Sequence, residues 1–481
     1  MMSIIVKEKL VSFKELEQKI YQYFCELARE ATSIILEEYD RELAEGRDKK
    51  NYRDKGPRTT SIKTVYGEVT YNRHVYRTTL EDGHTAHVYL LDEAMHMDKI
   101  GLISTNLAEK IAMEVAESPY RVTAEAISNT CGQSISHGGV WHLVQQLGER
   151  INREEEQQVA QMNADQTEGT RAVPVLFEEM DGVWIAMQGR GHKKTPSKEM
   201  KSFTMYEGWD AEMERSGRST LVGKKVLVGM GSSREFHEKR EAMIRKIYDA
   251  DEISQRILNG DGGNWIKEAY DPDVIFQLDR YHIFQEILRR IKDKSAQKEI
   301  RRLFELEQLD EMFEYIEAYA NSVASDDPED NASNNAKKLY QYLASNRSGL
   351  LSYQHQGIKI PDAPEGVLYK GMGVQENQNC TVITQRMKGG RKRWSENGAD
   401  NMAKVLYRKE NKELVETIER YTDGLVFSMQ MSEVLPILSA AKAPKRDGKG
   451  DSAADVITHH MPLFDVMQTA ARKAFRRSLC C

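Results

Sequence analysis

The sequence predicts an α/β core with a helical insertion, preceded by a mainly helical region that contains a small β-hairpin. Three patterns support this prediction. Between residues 170 and 284, short apolar runs typical of strands alternate with helical periods. Residues 285–353 are almost wholly helical in pattern and highly charged, which indicates an insertion into the core. Helical periods at 10–43 and 104–157 enclose alternating β-formers at 61–79, the pattern of one hairpin in a helical region.

Composition restricts the class of protein. The chain has 481 residues, enough for roughly two to four domains, and a formal net charge of −7. This charge argues against bulk attraction to nucleic acid, so such binding must use local basic patches. The five cysteines include no Cys-x-x-Cys pair, which fits a reducing cytosol and excludes a zinc finger. No apolar run approaches the ~18–20 residues that span a bilayer, and the N-terminus becomes charged too early for a signal peptide. We therefore expect a cytoplasmic protein with no membrane partner.

The N-terminal pattern predicts a helix, a linker and a hairpin. The helix at 10–43 has an apolar stripe formed by Phe13, Leu16, Ile20, Tyr23, Phe24, Leu27 and Ala31. Residues 45–60, EGRDKKNYRDKGPRTT, are polar, basic and closed by Gly-Pro, which predicts a loop or linker. Residues 61–79 alternate β-formers around Tyr66-Gly67-Glu68. The Lys and Arg side chains between its tyrosines fit a solvated face or a phosphate-contacting surface equally well.

Residues 118–151 have the pattern of a helix-turn-helix. A first helix would turn Ala124, Ala126 and Ile127 inward, and a turn follows at Cys131-Gly132-Gln133. A second helix would begin near Ser136 and bury Val140, Trp141 and Val144. The glycine in the turn and the serine N-cap fit the motif, although any two short helices joined by glycine look similar. If the motif binds DNA, the residues facing it would be His137, His142, Gln145 and Gln146, with Arg150 near phosphate.

The core begins at residue 170. An apolar strand, an acidic corner and a second strand are predicted for RAVPVLFEEMDGVWIAMQGR, and MKSFTMYEGWD and KKVLVGMG predict two more strands. A helix is predicted from Ser233 to Ile247, followed by two strands that each end in an acid. This β-β-β-α-β-α-β order suits a ribonuclease-H-like sheet. After the insertion, a strand-and-turn pattern returns at EGVLYKGMGVQENQ, a last helix covers 399–421, and the tail past residue 440 has no ordered pattern.

Acidic residues near the predicted strand ends are candidates for a site. Asp181, next to Glu178 and Glu179, lies between apolar strands, although Asp-Gly is also a favoured hairpin turn. Asp261 follows an apolar run and precedes a helix, which indicates a loop carboxylate at a sheet edge. Asp279 and His282 form Asp-x-x-His, which is typical of an N-cap and a helix-facing histidine. A buried, hydrogen-bonded imidazole is the structural alternative for His282, and Glu376 is unremarkable by itself.

Carboxylates from separate elements of one sheet have a chemical use. Mg²⁺ prefers oxygen ligands in octahedral geometry and binds through one or two carboxylates, water and phosphate. Two such ions about 4 Å apart can activate an attacking oxygen and stabilise a leaving one in a phosphoryl displacement. The sequence contains no GxSxG, GxxxxGK[ST] or HExxH motif and no plausible cysteine nucleophile, so no other chemistry is as well served.

The chain resembles the DDE transposases of the ISLre type of bacterial insertion sequence over most of its length. The matching segments are LLDEAMHMDKIGLIS, SISHGGVWHLV, EEMDGVWIAMQG, MYEGW, NGDGGNWIK, LDRYHI and ENQNCTVITQRMKGGRKRWSENGADNMAKV. Each segment is weak alone, but seven in the same order are specific. The basic run KGGRKRW is more basic than is typical of the family. Its cations, expected to contact DNA, are Lys388, Arg391, Lys392 and Arg393.

The resemblance implies the roles of the site residues. Asp181, Asp261 and Glu376 would be the catalytic acids and hold two Mg²⁺ (or Mn²⁺) ions. Glu396, whose neighbours also match, is the rival third acid. The supporting residues implied are Asp279 and His282, which match a D-x-x-H motif shared with Mutator-like transposases, and Arg386 and Trp394.

The implied function is a cytoplasmic, nucleoid-associated transposase that binds the terminal inverted repeats of its element and target DNA. It would cleave DNA and transfer strands as a homodimer or larger assembly when two ends are synapsed. Two alternatives remain open: a domesticated or inactive copy that only binds DNA, and a ribonuclease-H-like nuclease without strand transfer. The predicted divisions are 1–60 (helix and basic linker), 61–103 (hairpin), 104–169 (helix-turn-helix), 170–284 (first catalytic part), 285–365 (insertion), 366–425 (last catalytic part) and 426–481 (tail).

Overall fold

The computed structural model describes residues 12–80, 82–95, 103–189, 196–267, 274–324 and 331–422. The chain divides into two compact units, one formed by residues 1–143 and 414–481 and the other by residues 144–413. The predicted tail at 426–481, with Cys480 and Cys481, lies outside the described residues. Helices and several sheets confirm the mixed α/β class. No helix in the described part of the chain is both long and apolar enough to cross a membrane.

The first unit combines helices with a small antiparallel sheet in the order β1-β2-β3. Its elements are α1 (Phe13–Gly46), β1 (Arg53–Thr64), β2 (Gly67–Thr79), β3 (Thr85–Val88), α2 (Leu90–Ala94), α3 (Thr105–Glu117), α4 (Tyr120–Thr130) and the start of α5 (His137–Asn163). Leu36 of α1 packs with Ile62, Val69 and Tyr71 of the hairpin in a hydrophobic core. The predicted helix and hairpin are therefore present, and they pack on each other.

Two details of this unit differ from the sequence predictions. The apolar stripe of α1 is buried only in its second half, since Phe13 is 78% exposed whereas Ala31 and Leu36 are buried. The predicted linker at 45–60 is wrong from Arg53 onward, where β1 begins. A bulge between Asp54 and Pro57 accommodates the Gly-Pro pair, because β1 is an edge strand that can lack one ladder hydrogen bond.

The predicted two-helix motif occurs as α4 and α5. Ser136 caps α5, accepting a hydrogen bond from the Gly139 N–H at 3.1 Å. His137 and His142 are exposed as predicted, but Trp141 is 46% exposed and does not belong to the buried stripe.

The prediction that Gln145 faces DNA is also wrong. Gln145 is 8% exposed, and its Oε1 accepts a hydrogen bond from Asn401 Nδ2 at 2.9 Å. Gln146 and Arg150 are half-buried. Only the N-terminal end of α5 therefore presents polar side chains to solvent in the way the motif requires.

The second unit contains a five-stranded mixed sheet. Its elements after α5 are β4 (Arg171–Ala186), β5 (Ser197–Tyr206), β6 (Gly208–Asp210), α6 (Ala211–Arg215), β7 (Leu221–Val222), β8 (Lys225–Gly229), α7 (Ser233–Ile247), β9 (Tyr248–Gly260), α8 (Asn264–Lys267) and β10 (Val274–Leu278). The strand order is β8-β5-β4-β9-β10. β5 is antiparallel to β4 and to β8, whereas β9 is parallel to β4 and to β10. Numbered along the chain, the order is 3-2-1-4-5.

β4 is one continuous strand through its acidic residues. It pairs with β5 from Phe177 to Ala186, so the predicted acidic corner and the turn interpretation of Asp181 are wrong. On its other side, β4 pairs with β9 only as far as Met180, opposite Gly260. Phe177 packs against Tyr206, Trp209 and Tyr353 in the core beneath. Asp181 is therefore the first residue of β4 beyond the end of its parallel neighbour.

The predicted insertion is helical and contacts the sheet. Its elements are α9 (Arg280–Arg290), α10 (Lys294–Glu305), α11 (Leu309–Ser322), α12 (Ala332–Ala344) and a 3₁₀ turn (Arg347–Gly349). Part of the predicted loop between α11 and α12, residues 325–330, lies outside the described residues. Tyr342 of α12 donates its hydroxyl to the backbone carbonyl of Asp261 at 2.9 Å. Gly349 lies so close to β10 that a Cβ there would be 2.6 Å from the Phe276 ring.

The C-terminal part is more helical than predicted. Only β11 (Val367–Leu368) forms a strand, pairing with β6 beside β7, and α13 (Gln375–Gln378) continues through a π-helical segment (Asn379–Thr384) into α14 (Gln385–Met387). The predicted last helix at 399–421 is two helices, α15 (Glu396–Glu410) and α16 (Leu414–Thr422), because the chain turns at Lys412 with φ +60°. α15 packs directly on α5, where a Cβ on Gly148 would lie 2.4 Å from the Asn401 Cα.

Candidate functional site

Two adjacent parallel strands, β9 and β10, end at one edge of the five-stranded sheet, and β4 continues past them. An aspartate lies at this level on each of the three strands. Asp261 directly follows β9, Asp279 directly follows β10, and Asp181 lies just beyond the β4–β9 pairing. The backbone N–H of Asp279 donates to the Gly260 carbonyl at 2.8 Å, which extends the pairing to the site. Parallel strands present functional groups at their carboxyl ends. The structure thus brings three predicted site residues to one edge.

Asp181 is 7% exposed, and three groups surround its carboxylate. Asn379 Nδ2 donates to Oδ2 at 2.7 Å, and the backbone N–H of Gly182 donates to Oδ1 at 2.7 Å. His282 Nε2 lies 3.5 Å from the same Oδ1. The predicted Asp-x-x-His pair therefore does join the Asp181 site.

Asp261 and Asp279 are each held by the loop or helix that follows. Asp261 Oδ1 accepts from the Gly263 N–H at 2.7 Å, and Asp279 caps α9 by accepting from the Tyr281 N–H at 2.9 Å. Burial raises the pKa of both carboxyls, and the negative charge of Asp181 raises both further. Acids at this edge therefore share an electrostatic environment that favours a cation.

The cationic side chain facing these acids is His282. Burial acts to lower the pKa of its imidazole, but the hydrogen bond and charge of Asp181, with the charges of Asp279 and Asp261, outweigh burial. The result raises the pKa of His282 to about 9. The imidazole is therefore charged at neutral pH, which goes beyond the purely structural role considered from the sequence.

The two candidates for the third acid do not contact Asp181. Glu376 is exposed on α13, one helical turn before Asn379, and Glu396 forms an ion pair with Lys198 at 2.5 Å. Within the described residues, no group of three or more His, Cys, Asp or Glu side chains is arranged to hold a metal ion. The assignment of Glu376 as the third acid stays a prediction.

A row of polar side chains lies one step below the aspartates; of its members, only Glu179 is among the acids considered from the sequence. Glu179, Asn259 and Gln277 each precede an aspartate by two residues and are register partners on β4, β9 and β10. Asn259 Nδ2 donates to Glu179 Oε2 at 3.2 Å, and Gln277 Nε2 donates to Asn259 Oδ1 at 3.2 Å. In β4, β9 and β10 a polar residue stands two positions before an aspartate and closely follows an apolar run. This repeated spacing is the sequence signal that could have identified the row.

Glu179 and Glu178 are both fully buried on opposite faces of β4, and their surroundings differ. Glu179 accepts hydrogen bonds from neutral groups, among them the Tyr206 hydroxyl at 2.6 Å, and burial raises its pKa. Burial also opposes ionisation of Glu178, but Arg240 and Arg256, each 2.6 Å away, lower its pKa to about 2. Glu178 is thus a structural anion, whereas Glu179 belongs to the face that carries Asp181.

Arg386 and Trp394 are buried beside each other, with the guanidinium 5.4 Å from the indole ring. The backbone of Trp394 pairs with the end of β4, donating to the Ala186 carbonyl at 3.1 Å. Trp394 therefore holds the segment after α14 against β4, and Arg386 packs on the Trp394 ring.

The basic run between them is mostly exposed. Lys388, Arg391 and Arg393 are exposed, but Lys392 Nζ donates to the Arg386 carbonyl at 2.9 Å, and burial and the charge of Arg386 lower its pKa. Lys392 thus has a structural partner that the DNA-contact prediction did not include.

Comparison with known proteins gives a family for this chain. Residues 6–420 match the model of the uncharacterised protein family UPF0236. The chain belongs to this family. A UPF0236 protein in the vanSb 3′ region of Streptococcus gallolyticus is 25% identical over 406 residues, 82% of this chain and 83% of the relative. A second relative, from Caldanaerobacter subterraneus subsp. tengcongensis, is 26% identical over 413 residues (82% and 77%), and its name joins eleven designations.

A solved structure also matches this UPF0236 chain weakly. A chain of the Drosophila P element transposase strand transfer complex is 9% identical, with a TM-score of 0.22, and the match covers 65% of this chain and 83% of that chain. A TM-score this low carries no argument about fold or function.

Proposed function

We propose that this UPF0236 protein is the transposase of a bacterial insertion sequence of the ISLre type. It binds the ends of its element, cleaves the DNA and joins the free 3′ ends to target DNA. The observation that carries the proposal is the row of Asp181, Asp261 and Asp279 at one edge of a sheet with strand order 3-2-1-4-5. That order, with its two parallel and two antiparallel pairings, is the basis for proposing a ribonuclease-H-like core.

The donor types at this edge suit Mg²⁺ or Mn²⁺, although the side chains described there do not by themselves form a three-ligand group. Asp181 and Asp261 offer hard oxygen donors, and the repulsion between their like charges would be relieved by a cation. When bound, two such ions would activate the attacking oxygen and stabilise the leaving oxygen. Asp181 and Asp261 would hold the ions, and Glu376 would join from α13. Asn379 and His282 orient the Asp181 carboxylate.

The name of the Caldanaerobacter relative gives independent support. One name that joins eleven designations in one bacterium is what identical proteins from a repeated gene would receive. An insertion sequence multiplies its transposase gene in this way, whereas an ordinary enzyme gene is rarely repeated so often.

DNA binding is proposed for two exposed polar surfaces. The first is the N-terminal end of α5, with His137, Trp141 and His142, which would enter the major groove. The second is the basic run at Lys388, Arg391 and Arg393, close in sequence to Glu376, which would contact phosphate. Together these surfaces provide the local cationic and polar contacts that a chain with net charge −7 needs to bind DNA.

The test is to incubate the purified full-length protein with its own flanking DNA and Mg²⁺ or Mn²⁺, and to map the 3′ ends. We expect nicked, cut and joined products. Asp181→Asn should bind DNA as tightly as the wild type, because it removes no cationic contact, but cleavage should fall by several orders of magnitude. Asp251→Asn, which makes the same charge change at the exposed opposite end of β9, is the control.

Each alternative gives a different product pattern. Cut DNA without joined products would indicate a nuclease that lacks strand transfer. Bound but uncut DNA would indicate a DNA-binding protein without catalysis. Cleavage that Asp181→Asn leaves unchanged would remove the proposed site.

A further inference from the structure

The N-terminus of α13 is capped by a side chain from β4. A helix leaves its first backbone N–H groups without helical partners, and the N-cap residue usually supplies an acceptor. Here the N-cap is Val374, which has no side-chain acceptor. Glu179 accepts instead: the N–H groups of Gly373 and Val374 donate to its Oε1 at 3.0 and 3.1 Å, and that of Gln375 donates to Oε2 at 3.1 Å.

The capped helix carries the predicted third acid and is tied to β4 at two places. Glu179 holds residues 373–375, directly before Glu376. One turn later, Asn379 donates to Asp181, which lies two residues beyond Glu179 on the same face of β4. Glu376 therefore lies between two hydrogen-bonded ties whose acceptors belong to one strand.

We propose that Glu179 is the positioning residue for the third acid, setting the register of α13 so that Glu376 reaches the site of Asp181 and Asp261. This role rests on the proposed function.

The π-helical segment explains why such a tie is needed. It begins at Asn379, and its backbone hydrogen bonds span one residue more than those of an α-helix, so α-helical and π-helical bonding differ there by a shift of one residue. A shift of one residue would rotate Glu376 by about 100° around the helix axis and so change its direction relative to Asp181. The cap on residues 373–375 fixes the N-terminal end against such a shift.

Glu179 does not act as a metal ligand. Its Oε1 accepts from the Tyr206 hydroxyl and two N–H groups, and Oε2 accepts from Gln375 N–H and Asn259 Nδ2. Its side chain is 0% exposed. Five donors occupy the lone pairs that a metal would need, so its effect passes through α13.

Three substitutions separate positioning from general stability. Glu179→Gln keeps the size of the side chain but replaces one acceptor oxygen by an amide that cannot accept from Gln375 N–H. Val374→Pro removes one donor from the helix side, at a helix start where proline is tolerated, and leaves β4 intact. Tyr206→Phe is the matched control, because it removes a hydrogen bond to the same carboxylate without involving α13.

The experiment is Fe²⁺-directed hydroxyl-radical cleavage of the full-length protein, with ascorbate and peroxide, and mapping of the fragments. In the wild type we expect cuts near residues 181, 261 and 376. In Glu179→Gln, cuts near 376 should fall about tenfold relative to those near 181 and 261, with a smaller fall in Val374→Pro. Tyr206→Phe should keep the wild-type ratio.

The outcomes distinguish the two proposals. Wild-type cuts near 376 that persist in both Glu179→Gln and Val374→Pro overturn the positioning role alone. An equal fall in Tyr206→Phe also overturns it, because loss of any hydrogen bond to Glu179 would then suffice. Absence of cuts in the wild type, or cuts unchanged by Asp181→Asn, overturns the metal site of the proposed function and the role of Glu179 with it.

Discussion

Three groups of the protein contact the carboxylate of Asp181. Asn379 and the Gly182 N–H donate to its two oxygens, and the His282 imidazolium approaches Oδ1. A divalent ion that binds Asp181 must compete with this imidazolium for the same oxygen. The charged His282 imidazole thus offsets part of the negative charge of Asp181 and of the two neighbouring aspartates.

The pKa of His282 should be measurable in the metal-free protein. It is raised from 6.5 to about 9, so its contribution to stability is fully present below pH 6.5 and is lost as pH rises through about 9. A titration of ¹³C-labelled histidine by NMR, assigned with His282→Gln, should give a midpoint well above 6.5. Asp181→Asn should lower that midpoint, since it removes the main partner. A midpoint near 6.5 in both proteins would contradict the assigned interaction.

At the level of elements, the segment between α14 and α15 contains some lysines and arginines that are exposed and one lysine that is hydrogen-bonded within the protein. Lys388 is exposed, whereas Lys392 is already bonded to backbone carbonyls at the end of α14. Neighbouring lysines in one run therefore need not contribute equally to DNA binding.

The salt dependence of DNA binding tests this difference. Lys388→Ala should reduce the slope of log K against log salt by about 1, because one phosphate contact is lost. Lys392→Ala should leave the slope unchanged and lower stability instead. Fluorescence anisotropy with labelled end DNA at several salt concentrations measures both slopes. Equal slopes for wild type and Lys388→Ala would exclude this run from the DNA contact.

The contact between α5 and α15 requires a glycine. A Cβ on Gly148 would lie 2.4 Å from the Asn401 Cα, and a backbone atom cannot move aside as a side chain can. Gly148→Ala should therefore lower the free energy of unfolding by about 2 kcal/mol or more. Gly138→Ala, in the same helix, should stay within about 1 kcal/mol of the wild type, because a Cβ there would meet only Ser136 Oγ, at an ordinary contact distance of 3.7 Å. Urea denaturation compares the three proteins, and equal midpoints would contradict the close packing.

Local signals account for the elements that the sequence predicted correctly. Helix 233–247 was predicted with its observed ends, since Ser232 and Glu235 form a capping box. Local signals gave the wrong structure where pairing with a strand distant in sequence determines the backbone conformation. Asp-Gly at 181–182 is a turn signal, but pairing with β5 keeps β4 extended, and Gly-Pro at 56–57 is a break signal that a bulge absorbs. Asp261 and Asp279 were predictable as strand ends, whereas the place of Asp181 inside β4 depends on its pairing with β5. The contacts of Glu179 depend on a helix almost 200 residues away.

At the level of the whole molecule, the proposed DNA-reading residues and the acids belong to different compact units. His137 and His142 lie in residues 1–143, and the aspartates lie in residues 144–413. If the proposed function holds, substitutions should therefore alter DNA-end recognition and cleavage separately.

The proposed reaction also requires two DNA ends in one complex. If wild-type protein is mixed with end DNA of two lengths, a native gel should show a complex of intermediate mobility that contains both lengths. The reason is that at least two chains assemble when two ends are processed together. Substitution of His137 and His142 by alanine should abolish this complex while Gly138→Ala retains it. Only single-length complexes would contradict assembly on paired ends.

The contact of Tyr342 with the Asp261 carbonyl bears on how this fold can be shortened or recombined. An inserted segment that made no contact with the sheet could be deleted, or exchanged between relatives, without disturbing the site. Here the insertion supplies a hydroxyl to the backbone of the second acid and places Gly349 against Phe276 of β10. A chimaera that exchanged the insertion would need to carry over both contacts. We therefore expect the sequences of the insertion and of the sheet residues that it contacts to change together as relatives diverge.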